Sequence, residues 1–456
     1  MRFILLVVTL FLVCSTTVKS QQILSGNTQL KKLGNGLEVL VVKDSTVPLV
    51  TIEIACRNGS FTEKPDYNGL SHLYEHMFFQ ANRLYTNHDS FMEQMSALDI
   101  DANATTKEEV VNYFFTLPKA NMKQGMKFMN EAIRYPIFRK DAMKRENEVV
   151  NAEFTLEESK PEFALEEANA RHLWGENYSR KNVIGNHEII LSATPAKMDS
   201  IRAKYYWPNN SMLVIAGDVN FEEAFLEAES IFGSWKSSGF DPFLKWPIPE
   251  IKPLAKNDHY IVESDKTPIP SLLISWHGPD TRNDVSATYA ADVFSYILNQ
   301  NASKMRNTLI NSGLAMEAGV NYYTQKYTGP ISFTIKPNPA KIKECYQEVL
   351  RQIDLWDKDD YLSDAQIERA KRLLSIKQVE KREVTSDYAH MLTSWWGSAS
   401  IDYYINYEEN LNKISRKDLL DFVKKYIKNK PYCAGLMLDK ATIQSVKPLE
   451  FFKSNP

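Results

Sequence analysis

Gly69-Leu70-Ser71-His72-Leu73-Tyr74-Glu75-His76-Met77-Phe78-Phe79 decides how the rest of the chain is read. On an α-helix, His72 and His76 stand four positions apart, one turn above the other on a shared face. Two imidazoles at that spacing reach a single Zn2+ at about 2.0–2.1 Å. Glu75 falls beside them, where a carboxylate can take a proton from water without itself being a ligand. Leu70, Leu73, Met77 and Phe78 supply an apolar flank that would bury the helix against a core. Two imidazoles and a carboxylate at the margin of a core need a reason to be there, and a metal ion supplies one. The competing reading, a surface helix with two unrelated histidines, leaves the apolar flank unexplained.

A catalytic zinc site takes three protein ligands and keeps a fourth position open. The best source of the third is Arg145-Glu146-Asn147-Glu148-Val149-Val150-Asn151-Ala152-Glu153. On a helix Glu146 and Glu153 are two turns apart on one face, while Glu148 points elsewhere. One of the pair can bind the ion and the other can orient a histidine. The spacing alone does not choose between them.

Outward from these segments, 456 residues are too many for one ordinary core. Apolar residues make up 43% and charged residues 24%, which is globular rather than disordered composition. A net charge of -3 offers no basic field, so nucleic acid is not a favoured partner. Residues 1–20 stand apart: Arg2, then the apolar run Phe3 to Val13, then small and polar residues. This reads as a secretory signal peptide cleaved near Ser20, which makes the protein exported, periplasmic or secreted. Lipid attachment at Cys14 is the weaker rival, because bulky Val13 precedes it where a small residue is usual. No later run of about eighteen apolar residues occurs, so no transmembrane segment is expected in the mature chain. Cys56, Cys345 and Cys433 show no paired spacing and read as small buried hydrophobes.

The pattern predicts strands at Leu37 to Val42, Leu49 to Ala55, Ala104 to Thr106, Val110 to Leu117 and Met212 to Ile215. Helices are predicted at Met122 to Arg134, Lys140 to Glu158 and Phe221 to Phe232. Six prolines between 238 and 270 suggest an extended connector. Beyond it the order recurs: strands at Ser271 to Trp276, Ile331 to Lys336 and Tyr432 to Leu438, with long helical stretches between. The expected fold class is α+β: two homologous lobes, each a mainly antiparallel sheet with helices packed on one side. The expected divisions are a signal peptide (1–20), an N-terminal metal-binding lobe (21–238), a proline-rich linker (239–270) and a C-terminal lobe (271–456).

The spacing His72-x-x-Glu75-His76, with Glu153 seventy-seven residues on, resembles the insulinase/pitrilysin zinc metallopeptidases, a group that includes mitochondrial processing peptidase and two-chain bacterial members. Asn35-Gly36-Leu37, Gly69-Leu70, Asn103-Ala104-Thr105, Tyr206-Trp207-Pro208-Asn209-Asn210 and Gly217-Asp218-Val219 also match, so the resemblance covers nearly the whole mature chain. It implies a LuxS/metallopeptidase-like duplication and one Zn2+ per chain. Under the resemblance His72, His76 and Glu153 are metal ligands, Glu75 is the catalytic base, and Glu146 supports from behind. It places Asn103 and Ala104 on a strand edge where an extended peptide substrate adds as a further strand. The implied reaction is endopeptidase hydrolysis of short or unfolded peptides inside a clamshell chamber.

One departure matters. The family usually carries Arg and Tyr in a segment like Arg-x-x-x-Gly-Leu-Ala-Tyr, which holds the substrate carbonyl and the oxyanion. Here the segment is Leu309-Ile310-Asn311-Ser312-Gly313-Leu314-Ala315-Met316, with Leu309 and Met316 at those positions. The second lobe is therefore expected to be catalytically degenerate, and a homologous partner chain to supply Arg and Tyr in a heterodimer. The alternative is a non-catalytic structural or peptide-binding subunit. Trp395-Trp396 is expected in a core, and His88, His172, His187, His259, His277 and His390, which lack ligand spacing, are expected to be structural.

Overall fold

The computed structural model describes residues 22–452. The signal-peptide reading of residues 1–20, and Cys14 with it, lies outside the described residues.

Seven strands form the first sheet: β1 (Gln22–Ser25), β2 (Thr28–Lys32), β3 (Glu38–Lys43), β4 (Leu49–Cys56), β5 (Asp101–Thr106), β6 (Val111–Pro118) and β7 (Ser211–Gly217). Their spatial order is β1-β2-β3-β7-β4-β6-β5. Five strands form the second: β8 (Asp258–Glu263), β9 (Ser271–His277), β10 (Ala315–Tyr322), β11 (Pro330–Pro337) and β12 (Cys433–Leu438), in the order β10-β11-β9-β12-β8. Without β1 and β2 the first sheet, read from its other edge, is β5-β6-β4-β7-β3, the same succession. Each sheet is antiparallel except for one equivalent pair, β3 with β7 and β8 with β12. The repeated order of elements in the sequence is thus a repeated topology. The proline-rich stretch 239–270 is a connector only in part, because β8 lies inside it and pairs with β12 at the edge of the second sheet. The prolines flank β8 without entering it, so its N–H groups stay free for the ladder.

Apolar side chains alternate on both faces of the first sheet, so both faces need cover. Val50, Ile52 and Ile54 pack one way against helices of the same lobe, including Met122–Arg134. Leu40, Val42, Val214 and Ala216 pack the other way, against the helix Thr385–Ser398 from the second lobe. The exchange is reciprocal: the helix Phe163–Trp174 of the first lobe covers the second sheet, Leu165 meeting Leu273 and Met437. Trp396 is buried in the first of these contacts, its indole N–H donating to Glu38 at 2.8 Å and the Arg57 guanidinium 3.8 Å from its ring centroid. Cys56, Cys345 and Cys433 are buried and unpaired. Among the described residues no helix is long and apolar enough to cross a membrane.

Candidate metal centre

The helix Leu70–Phe78 buries Leu70, Leu73, Tyr74, Met77 and Phe78, with Tyr74 stacked on Tyr206 at 4.2 Å between centroids. That packing turns His72, Glu75 and His76 to the opposite, partly open side. The chain enters the helix through Gly69, held at a φ of 90°. A Cβ there would meet the Cα of Gly185 at 2.6 Å, so both the dihedral and the close approach require glycine. Glu63 is buried beneath this entry, and its carboxylate accepts the N–H groups of Gly69 and Ser71, each at 2.7 Å. Burial pushes the Glu63 carboxyl up to about 7, against the pull of those donors.

The helix Lys140–Glu158 runs alongside, anchored by Ala142, Met143, Val150 and Phe154. Its other side brings Glu146 and Glu153 to the histidines. His72 Nε2 lies 3.6 Å and His76 Nε2 3.5 Å from Glu153 Oε2. These gaps are too long for hydrogen bonds. They suit donors sharing one ion: ligands about 2.0–2.1 Å from a tetrahedral metal stand about 3.3 Å from each other. His72, His76 and Glu153 form a group of donors all within 4.8 Å of one another. Behind them, Glu146 Oε2 is 3.3 Å from His76 Nδ1, which leaves Nε2 aimed at the shared point. Among the described residues the buried Nδ1 of His72 has no hydrogen-bond partner.

Burial, followed by the neighbouring His76, pushes His72 down to about 4, which keeps it neutral with a lone pair available. Burial also lowers His76, but its hydrogen bond to Glu146 and the charges of Glu153 and Glu75 carry it above its ordinary value. Glu75 is raised by burial, though the Thr106 hydroxyl donates to its carboxylate at 2.5 Å. A carboxylate lifted towards neutrality beside a metal-ligand set is suited to taking up and returning a proton.

Thr106 ends β5, the outer strand of the sheet, so Asn103 and Ala104 sit on an edge that pairs with no further strand among the described residues, the Ala104 N–H donating to Asn103 Oδ1 at 2.8 Å. Asn103 pairs with Phe114 and Ala104 with Tyr113 of β6. At the positions read for the Arg and Tyr stand Leu309 and Met316. Leu309 is fully buried in the second lobe's core, and Met316 is half exposed on β10. Nearby, Arg306 donates to the Ala318 carbonyl and Tyr322 to that of Pro279.

The sequence reading missed Glu63 and Thr106. Strand alternation was the available signal for Thr106, which shares a face with Ala102 and Ala104. Glu63 carries no such signal, because it reaches the helix from outside the usual capping positions. Of the histidines read as structural, His390 touches buried Glu53 across the lobe contact, and His172 meets Asp258 at 2.6 Å.

Fold and site together define a two-lobed α+β protein with an inverted His-x-x-Glu-His helix facing a second-helix carboxylate. Residues 38–186 match the family model described as Insulinase (Peptidase family M16), and 192–374 match the one described as Peptidase M16 inactive domain. An uncharacterized zinc protease of Rickettsia felis is 24% identical over 329 residues, 72% of this chain and 77% of that protein. The crystal structure of a protease from Helicobacter pylori superposes with a TM-score of 0.79 at 19% identity, covering 90% of this chain and 99% of that one. Pitrilysin superposes with a TM-score of 0.75 at 18% identity, covering 93% of this chain and 45% of pitrilysin. The chain belongs to the insulinase, or M16, peptidase family.

Proposed function

We propose that this chain is the zinc-binding subunit of an exported metalloendopeptidase that hydrolyses short or unfolded peptides. The observation that carries the reading is the convergence of His72 Nε2, His76 Nε2 and a Glu153 oxygen at separations that suit one divalent ion. Zinc held there supplies a Lewis acid for the scissile carbonyl and acidifies water. Glu75 takes the proton from the attacking water and delivers it to the leaving amine. Thr106 positions Glu75, and Glu146 fixes the tautomer and direction of His76. A peptide lies extended along β5, bonding to its outer backbone edge around Asn103 and Ala104, where it takes the Ala104 N–H from Asn103 Oδ1. Export rests on the N-terminal residues alone.

Leu309 and Met316 cannot donate a hydrogen bond to an oxyanion, so the proposal includes a homologous partner chain that carries Arg and Tyr. Relatives that span about twice this length, such as pitrilysin, suit a chamber built from two such units. The same two residues favour a second reading, a subunit that captures peptides without cutting them. Cleavage of a quenched fluorescent peptide, with and without chelator and with and without a candidate partner, separates the two. Chelator-sensitive turnover that Glu75→Gln abolishes supports the peptidase. Stoichiometric peptide binding without turnover under every condition, partner included, overturns it.

A further inference from the structure

A cavity of about 480 Å3 opens beside the entry to the His72 helix, and its walls carry four cations against two acids. Lys64 and Arg180 come from the segments around that entry, Lys204 from the helix Pro195–Tyr205, and Lys245 from the start of the proline-rich connector. Among the described residues none of these four forms an ion pair. Arg180 donates to the Phe61 carbonyl at 2.6 Å, and Lys204 and Lys245 rest on aromatic rings, 6.0 and 4.8 Å from the Trp246 centroid. A fifth cation, Lys197, lies over Tyr67 and donates to the Asp66 carbonyl at 2.7 Å. The acids in the wall are Glu63 and Asp66. Both Glu63 oxygens already accept backbone N–H groups, and Asp66 is exposed, as are Lys64 and Lys245. The lining therefore carries a surplus of cations in a protein whose net charge is -3. Tyr67, Tyr205 and Trp246 add flat apolar surface between them.

We propose that this cavity binds a phosphate-bearing small molecule with a flat ring, its phosphate held by Arg180, Lys204 and Lys245 and its ring laid on the aromatic wall. Unpaired guanidinium and ammonium groups match a phosphate's acceptor oxygens, and the volume falls in the range of small-ligand sites. An occupant would touch Glu63, one side chain from the head of the His72 helix, and the connector at Lys245 to Ile248. The site is separate from the metal centre and does not depend on the peptidase reading.

The test is calorimetric titration of the full chain with phenyl phosphate, using phenol as the uncharged control. The variant Lys204→Gln/Lys245→Gln carries the test of location, with matching thermal unfolding showing that it is folded. The expected result is saturable binding of phenyl phosphate, weakened by salt and about tenfold weaker in the variant, with phenol binding far less. Absence of saturable binding to the wild-type chain, equal binding by the variant, or equal binding of phenol would overturn the proposal.

Discussion

Replacing Glu146 by Gln isolates what the carboxylate behind His76 contributes. Glu146 Oε2 stands 3.3 Å from His76 Nδ1, and the side chain is only 15% exposed, so its charge acts with little screening. Gln keeps the shape and removes the charge that holds the Nδ1 proton and leaves the Nε2 lone pair facing the cluster. Outer carboxylates of this kind contribute about 10- to 100-fold in metal affinity, or about 1.4–2.7 kcal/mol. The assay is zinc competition against a chromophoric chelator, beside urea unfolding of the metal-free protein. E146Q is expected to lose affinity by that factor while metal-free stability stays within about 0.5 kcal/mol of wild type. Glu148→Gln, on the exposed side of the same helix, should change neither. Wild-type zinc affinity in E146Q, or an equal loss in E148Q, would refute the reasoning.

Trp396→Ala should cost about 3–5 kcal/mol in urea unfolding, because it empties the contact between the second lobe's helix and the first sheet and strands Glu38 and Arg57. Leu309→Arg should cost about 3–5 kcal/mol, since it puts an unpaired charge where exposure is 0%, whereas Met316→Tyr, at a position 46% exposed, should stay within about 0.5 kcal/mol. On that expectation Leu309→Arg does not place a usable Arg in this lobe, and unfolding curves of the two variants check the contrast. Glu109 sets a pH dependence: it is buried, accepts the N–H groups of Lys326 and Tyr327 across the lobe contact, and burial raises its carboxyl from 4.5 to about 7. A raised folded value means its contribution is full below about pH 4.5 and is lost as pH climbs through about 7. Urea unfolding across that window should show stability falling less steeply in Glu109→Gln than in wild type.

The first sheet was largely legible because its inner strands carry period-two apolar runs and the helices between them carry uninterrupted periodic faces. Leu49–Cys56 and Lys140–Glu158 are examples, read within a residue or two of their observed bounds. Strands lacking that signal were missed. β8 hides among prolines, and β10 opens with exposed Met316 and Glu317. The exchange of helices between lobes had no sequence signature, since an apolar helix face does not name the sheet it covers. Within the site, the i, i+4 histidines and the two-turn separation of Glu146 and Glu153 were readable as spacing. The assignment of the two carboxylates was not, because both lie on the same helical face. Only three-dimensional placement puts Glu153 near both Nε2 atoms and Glu146 against Nδ1. Glu63 and the cations around its cavity come together from segments up to about 180 residues apart, a distance over which local pattern carries no information.

The three convergent donors define the metal centre, and an anomalous difference map at the zinc edge from crystals of the zinc-loaded protein tests them directly. The map should show one strong peak within bonding reach of His72 Nε2, His76 Nε2 and Glu153. A zinc-loaded crystal with no peak there, or with Glu153 turned away from a metal held by other side chains, would contradict it.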